Sequence, residues 1–263
     1  MNHRYPNFCG IDIIPLPAFR DNYIWLLRRG ATAVVVDPGD AAVVERHLAG
    51  HGLQLGAILI THHHADHIGG VTALTAERAI PVFGPAAEPI VGVNRPLAEG
   101  DAVDLPVLGV RLQALEVPGH TRTHIAYLAP GALFCGDTLF SAGCGRLLGG
   151  TAAQLHDSLR RLADLPDDTA VYCTHEYTLA NLAFARAAEP DNAARDAWLA
   201  ECEQLRAAGR PTLPSRIGRE RRINPFLRTT EPAVIEAVAA HCGARPAGSR
   251  ECFAALRAWK DDF

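Results

Sequence analysis

The chain of 263 residues is long enough for one large domain, or for one large and one small. Its 48% apolar and 21% charged residues are the balance of a soluble globular protein, and a net charge of -4 with a pI near 6.3 excludes the basic excess of a nucleic-acid-binding surface. No run approaches the ~20 apolar residues of a bilayer span, and the opening Met1-Asn2-His3-Arg4-Tyr5-Pro6 lacks a signal-peptide core. Seven cysteines, an odd number with no Cys-x-x-Cys pair, suit free thiols in a reducing compartment, so a cytoplasmic protein is expected.

From the start to Cys173, short apolar and β-branched runs alternate with helical spacing. Strands are predicted at 11–14, 23–27, 32–36, 57–60, 110–117, 125–128, 132–135 and 170–173, and helices at 41–49, 71–79 and 152–162. In the last helix Leu155, Leu159 and Leu162 recur on one face; Asp37-Pro38-Gly39-Asp40 is a strand-to-helix turn signal. This order indicates a layered α/β domain. After His175 no strand is predicted, and helical spacing takes over at 179–188, 193–208, 233–242 and 250–259. Residues 209–218 read as a Pro/Gly connector and Ser249 as the N-cap of the last helix. The expected organisation is therefore an α/β domain over 1–175 and a helical domain over 176–263.

Thr61-His62-His63-His64-Ala65-Asp66-His67 places four strong metal ligands, His62, His64, Asp66 and His67, within six positions. On an extended backbone His62, His64 and Asp66 point to one side, with His67 at a turn released by Gly69-Gly70. A single tetrahedral site rarely draws every ligand from one short loop, so a second metal and further ligands downstream are expected. Three later strands run into such residues: 115–117 into His120, 133–135 into Asp137 and 171–173 into His175. Strand ends hold ligands rigidly, and Gly119 and Gly136 permit tight turns beside two of them.

Seven ligands divide between two divalent ions if one carboxylate bridges, and Asp137 suits that role because it offers two oxygens. A donor set without thiolate fits Zn, Fe or Mn. His63 should face away from its neighbours, and His124 either supports the site or packs. His3, His47, His51, His156 and His241 are read as surface or packing residues, Cys135, Cys144 and Cys173 as small packing residues, and Arg219-Glu220-Arg221-Arg222 as solvated charge.

Thr61–His67 resembles the His-x-His-x-Asp-His signature of the metallo-β-lactamase superfamily, and Val36-Asp37-Pro38-Gly39, Gly119-His120-Thr121, Gly136-Asp137-Thr138 and Thr174-His175-Glu176-Tyr177 resemble its other motifs in order. More narrowly, Gly136–Arg146, Tyr172–Thr178, Asn224-Pro225-Phe226-Leu227-Arg228 and the tail Arg257–Phe263 are similar to the glyoxalase II, or hydroxyacylglutathione hydrolase, family. The resemblance spans nearly the whole chain. It implies a four-layer αββα sandwich followed by a smaller helical domain. It further implies one metal on His62, His64, His120 and Asp137, a second on Asp66, His67, Asp137 and His175, and glutathione held by Arg146, Tyr177, Arg257 and Lys260. Leu148 stands where the family often has an aromatic residue, and Gly149-Gly150 replaces a bulkier pair.

The implied reaction is hydrolysis of S-D-lactoylglutathione and related 2-hydroxyacylglutathiones to D-lactate and glutathione, the second step of methylglyoxal detoxification. A metal-bridging hydroxide, oriented by Asp66, would attack the thioester carbonyl, and the thiolate leaves without a strong general acid. Arg257 and Lys260, three apart on the last helix, would share a face toward a substrate carboxylate. The expected partner is the small-molecule thioester alone, with no nucleic acid or membrane, and the expected state is a monomer. Alternatives on the same fold are a glutathione persulfide (sulfur) dioxygenase with one iron, a lactonase, a β-lactamase or a nuclease. A non-catalytic metal-binding protein is the alternative from another class.

Overall fold

The β-branched run from Ile11 to Val36 opens a six-stranded sheet, ordered β1 to β6 in sequence order. In a computed structural model of the protein, which describes residues 10–263, β1 (Asp12–Ala18), β2 (Asn22–Arg29) and β3 (Thr32–Val36) pair antiparallel through short turns. Helix α1 (Ala41–His51) then carries the chain to β4 (Gln54–Leu59), parallel to β3. Two short helices, α2 (Ala65–Ile68) and α3 (Val71–Thr75), lead to the parallel edge strands β5 (Val82–Pro85) and β6 (Arg95–Leu97). The opening hexapeptide, with His3, lies outside the described residues.

Two compact units make up the described chain: one runs up to Glu116 and includes Thr123–Gly136, and the other comprises Val117–Arg122 and Asp137–Phe263. In the first unit, alternation sends Ile24, Leu26, Ala33, Val35, Ile58 and Ile60 to one face of the sheet, where they pack with Val44 and Leu48 of α1 and Val71 and Leu74 of α3. Trp25, Leu27, Val34, Val36 and Leu59 point the other way and are equally buried. Burying each such Val, Leu or Ile contributes about 1.5–3 kcal/mol, so both faces must stay covered. A second sheet in this unit is an antiparallel meander of β7 (Ala102–Leu105), β8 (Val110–Glu116), β9 (Ile125–Ala129) and β10 (Ala132–Gly136). The Tyr127 hydroxyl of β9 donates to the Ile60 carbonyl at 2.7 Å and accepts from its N–H at 3.2 Å, tying the end of β4 to the meander.

The second unit begins its main run with a two-strand hairpin, β11 (Leu139–Phe140) and β12 (Gly143–Cys144). Helix α4 (Ala152–Ala163) follows behind a capping box of Thr151 and Gln154, with Leu155, Leu159 and Leu162 all fully buried as their spacing predicts. Strand β13 (Ala170–Cys173) ends at the ligand candidate His175. Then come α5 (Thr178–Ala188), α6 (Ala193–Ala207), the two-residue strand β14 (Ser215–Arg216), α7 (Ile217–Ile223), a 3-10 turn at Pro225–Leu227, α8 (Pro232–Cys242) and α9 (Ser249–Asp261).

The structure corrects several expectations. The stretch read as a connector, 209–218, contains β14, which pairs antiparallel with β13, so one short strand does follow His175. Strands β5, β6 and β7 were not predicted: each is three or four residues long, two contain Pro, and only pairing with a neighbour identifies them. Gly248, not Ser249, caps α9, because the Ser249 hydroxyl is engaged by His156 Nε2 and Thr229 Oγ1, each at 2.7 Å. His156 is thus a buried packing residue, as expected. Nor is Glu220 solvated: it is fully buried among hydrogen-bond donors.

Candidate metal centre

In the first unit, His62 to His64 lies on irregular, extended chain after β4, whereas Asp66 and His67 sit on the single turn of α2. Asp66 is therefore not on the extended run with His62 and His64; the helical turn presents it beside His67 instead. Gly69 and Gly70 also act differently from the expectation, since both have ordinary right-handed φ values of -56° and -85°. They are glycine because the loop is docked against the 37–40 turn. A Cβ on Gly70 would lie 2.4 Å from the Pro38 carbonyl oxygen, and one on Gly69 2.7 Å from that of Gly39.

That docking brings Asp37 under the cluster. Its φ of 51° is left-handed, which aims the carboxylate back at residues 61–67. Asp37 Oδ1 accepts from the Thr61 N–H at 2.8 Å, and Oδ2 accepts from the Thr61 hydroxyl at 2.7 Å and lies 3.0 Å from His67 Nδ1. A carboxylate can only accept, so it favours the proton on His67 Nδ1 and leaves Nε2 as a lone pair. Because the Thr61 proton goes to Asp37, its oxygen accepts from His62 Nδ1 at 3.0 Å, which bares His62 Nε2 as well. The bare His62 Nε2 lies 3.0 Å from His64 Nδ1, while His67 Nε2 is 3.5 Å from Asp66 Oδ2. Asn22 Nδ2 donates to that Asp66 oxygen at 2.9 Å. Ligand atoms of His62 and His67 lie within 4.8 Å of each other. His124, buried, stacks on His62 with ring centroids 4.6 Å apart, and so supports the ring from behind. His63 faces away, paired with Glu88 at 2.7 Å.

The second unit carries its own converging set. His120, buried at the turn after Gly119 (φ 145°), sets Nδ1 2.7 Å from the Arg146 carbonyl, again an acceptor only, so Nε2 is bare and lies 3.5 Å from Asp137 Oδ2. His175 Nε2 lies 3.4 Å from the same oxygen. Its ring is held parallel to Tyr177 at 4.7 Å, with Phe140 edge-on to both. Both donor sets have the chemistry of a cation site: the buried imidazoles of His62, His67 and His120 each have a protein acceptor at Nδ1 and turn Nε2 toward a neighbouring imidazole or carboxylate. Asp37 and Thr61 were missed as supports. The signal lies in the Val36-Asp37-Pro38-Gly39 motif, which the sequence marks as a turn and as a family motif without giving its carboxylate a role.

Of the expected glutathione residues, Arg146 and Tyr177 are exposed and Lys260 is half-buried 5.0 Å above the Phe184 ring. The Lys260 ammonium is pushed down to about 8 by burial and then by neighbouring Arg257. Arg257 is itself buried: Nη1 donates to the Cys144 carbonyl at 3.3 Å, Nη2 to Asp261 at 3.0 Å, and Nε is enclosed without a protein acceptor. Asp261 also lies 3.6 Å from Arg146 Nε, linking the two arginines. The Gly149-Gly150 pair has a steric origin, since Gly149 has φ 121° and a Cβ on Gly150 would sit 2.3 Å from the Gly119 oxygen. Leu148 is exposed, its N–H donating to the His120 carbonyl at 2.8 Å. The six described cysteines are free thiols, five of them buried. Among the described residues no helix is long and apolar enough to cross a membrane.

Residues 18–175 match the metallo-beta-lactamase superfamily and residues 176–263 match the hydroxyacylglutathione hydrolase C-terminus. The hydroxyacylglutathione hydrolase of Cupriavidus taiwanensis is 55% identical over 265 residues, spanning 96% of this chain and 99% of that protein. Among solved structures, ETHE1 from Myxococcus xanthus is similar with a TM-score of 0.64 at 28% identity, covering 95% of this chain and 97% of its own. TTHA1623 in a di-iron-bound form is similar with a TM-score of 0.58 at 28% identity, covering 81% of this chain and 100% of its own. The fold is that of the metallo-β-lactamases with a C-terminal helical region, and the chain belongs to the hydroxyacylglutathione hydrolase family.

Proposed function

We propose that the protein hydrolyses glutathione thioesters of 2-hydroxy acids, S-D-lactoylglutathione foremost, at two divalent ions held jointly by His62, His64, Asp66, His67, His120, Asp137 and His175. The observation that carries this reading is the placement of acceptors behind the rings: Asp37, the Thr61 hydroxyl and the Arg146 carbonyl lie 3.0, 3.0 and 2.7 Å from Nδ1 of His67, His62 and His120, which favours a proton there and a lone pair on each Nε2. In our reading His62, His64, His120 and Asp137 hold one ion, Asp66, His67, Asp137 and His175 hold the other, and Asp137 bridges. Zn is the expected metal, with Fe or Mn served by the same donors. The di-iron form of TTHA1623 supports a count of two. When bound, such ions supply a water of lowered pKa and positive charge opposite the oxygen that turns negative on attack.

The chain's own contributions are positional. Asp66, tethered by Asn22, orients the attacking water; we assign substrate binding to Tyr177, Arg146, Lys260 and Arg257, the two arginines being linked through Asp261. The thiolate leaves at its ordinary pKa of about 8.5, so no proton donor is required of the protein. We assign residues 1–175 to the metal-bearing domain and 176–263 to the domain that completes thioester binding. Free thiols support a cytoplasmic setting, and we take the working form to be a monomer.

Elemental analysis of fully active protein is expected to find close to two ions per chain, with turnover of lactoylglutathione proportional to occupancy. Full activity with a single iron would replace this reading with the dioxygenase. A second test uses Lys260. Its ammonium is charged below about pH 8 and neutral above, so carboxylate binding should be complete on the acid side and fade as pH rises. KM for lactoylglutathione should climb above pH 8, and Lys260→Ala should raise KM at neutral pH by the loss of a charge-assisted bond, ~1.5–3 kcal/mol less screening, and remove that limb. A small thioester without glutathione carboxylates should be hydrolysed equally by variant and parent; an equal loss on both substrates would make Lys260 a residue of the fold alone.

A further inference from the structure

We propose that Glu220 is a positioning residue for the reaction above: it fixes the β11–β12 hairpin and thereby the placement of Asp137 and Arg146, touching neither metal nor substrate. This rests on the proposed function only for its kinetic readout. Asp137 and Arg146 lie at the two ends of a ten-residue segment, Asp137–Arg146, whose middle is a hairpin of two residues per strand. Such a hairpin is too short to hold its own shape in water.

Its turn depends on an unusual residue, Ala142, with φ 56°. A non-glycine residue persists in that region only when its surroundings over-determine it. Here the surroundings come from α5, α6, α7 and the residue that follows α7. Glu220 Oε2 accepts from the Ala142 N–H at 2.7 Å. Asn224 Nδ2 donates to the Phe140 carbonyl at 3.2 Å, the Gly143 carbonyl at 2.9 Å and the same Glu220 oxygen at 3.1 Å. Asn181 Nδ2 donates to the Ser141 carbonyl at 3.0 Å, and Trp198 Nε1 to the Ser141 hydroxyl at 3.1 Å. Ser215 donates its hydroxyl to the other Glu220 oxygen.

Downstream the hairpin meets the chemistry twice. The Arg146 carbonyl that locks His120 lies two residues after β12, and a Cβ on the intervening Gly145 would fall 2.0 Å from the Asp137 carbonyl oxygen, so the two ends are packed against each other. Glu220 is fully buried and bonded to Ala142, a member of the apolar cluster of Leu182, Ala185, Trp198, Cys202 and Ile223; burying a carboxylate there is costly, and desolvation pushes its pKa up against the pull of its donors. That cost is borne beside a strained turn. The same arrangement gives a role to Asn224, which begins the Asn224–Arg228 motif.

The test compares Glu220→Ala, Glu220→Gln and Glu220→Asp, all assayed well below their melting temperatures. Glutamine is nearly isosteric: its oxygen can accept from Ala142 and Asn224 while its amide donates to the Ser215 hydroxyl. Glu220→Gln should therefore keep kcat/KM for lactoylglutathione within about threefold of the parent, whereas Glu220→Ala should lower it on the order of 10²-fold per folded chain, as displacements near 1 Å do. Glu220→Asp keeps the charge but falls short of the Ala142 N–H, so it should fall between the two and decides the matter if the alanine variant does not fold. Folded alanine or aspartate variants with lower Tm but parental kcat/KM and metal content would overturn the proposal and leave Glu220 a fold residue only. A parent that turns over no glutathione thioester would overturn the proposed function instead; in that event altered metal stoichiometry in Glu220→Ala still supports the positioning of Asp137, and unchanged stoichiometry overturns it.

Discussion

Asp137→Ala is expected to abolish thioester hydrolysis and to lower the metal content of the purified protein. One carboxylate oxygen lies 3.5 Å from His120 Nε2 and 3.4 Å from His175 Nε2, so truncation strips the shared anion from two imidazoles at once. Changing an outer-sphere partner of a metal ligand already costs about 10–100-fold in affinity. Removing a ligand common to both proposed ions should cost more, and both should be lost together on dialysis. His175→Ala is the contrasting variant, because it removes a ligand to one ion only and should retain roughly half the metal. The check is elemental analysis beside steady-state kinetics on the same preparations. An Asp137→Ala protein that holds two ions and most of its rate would end the bridging assignment.

The second large effect falls on a residue far from any ligand role by composition. A Cβ on Gly39 would lie 1.9 Å from the Asp66 carbonyl oxygen and 2.5 Å from its carbonyl carbon. The obstruction is backbone, so no side-chain rotation relieves it. Gly39→Ala should push the 65–70 segment off the 37–40 turn, with an overpacking cost of about 1–3 kcal/mol or more. That shift also separates Asp37 from His67, whose ring it faces, and from Thr61, through which it bears on the His62 ring. We expect a lowered Tm together with weakened metal affinity, read by thermal melts with and without added Zn. Gly50→Ala is the control: it lies within α1 with nothing near its Cβ, and should stabilise by about 0.5–1 kcal/mol without touching metal binding. Equal metal affinity in Gly39→Ala and the parent would show that the docked turn does not shape the ligand loop.

Much of this protein is legible from the chain alone, for reasons of local chemistry. Ligand type is a property of side chains, so His62, His64, Asp66, His67, His120, Asp137 and His175 declare themselves by kind and by position after apolar runs. Leu155, Leu159 and Leu162 reveal a buried helix face because the helical repeat is itself local. What tertiary structure decided is of another order. Whether Asp66 rides on an extended run or a helical turn, which nitrogen of His67 carries its proton, and why Gly69 and Gly70 must lack side chains all depend on the 37–40 turn, some thirty residues away. Glu220 looks like one more charge in an Arg-rich stretch until Ala142, seventy-eight positions earlier, is seen to donate to it. Hydrogen bonds of that span leave no periodicity in a sequence, because each is set by where the backbone has brought two segments together and not by the residues beside either one.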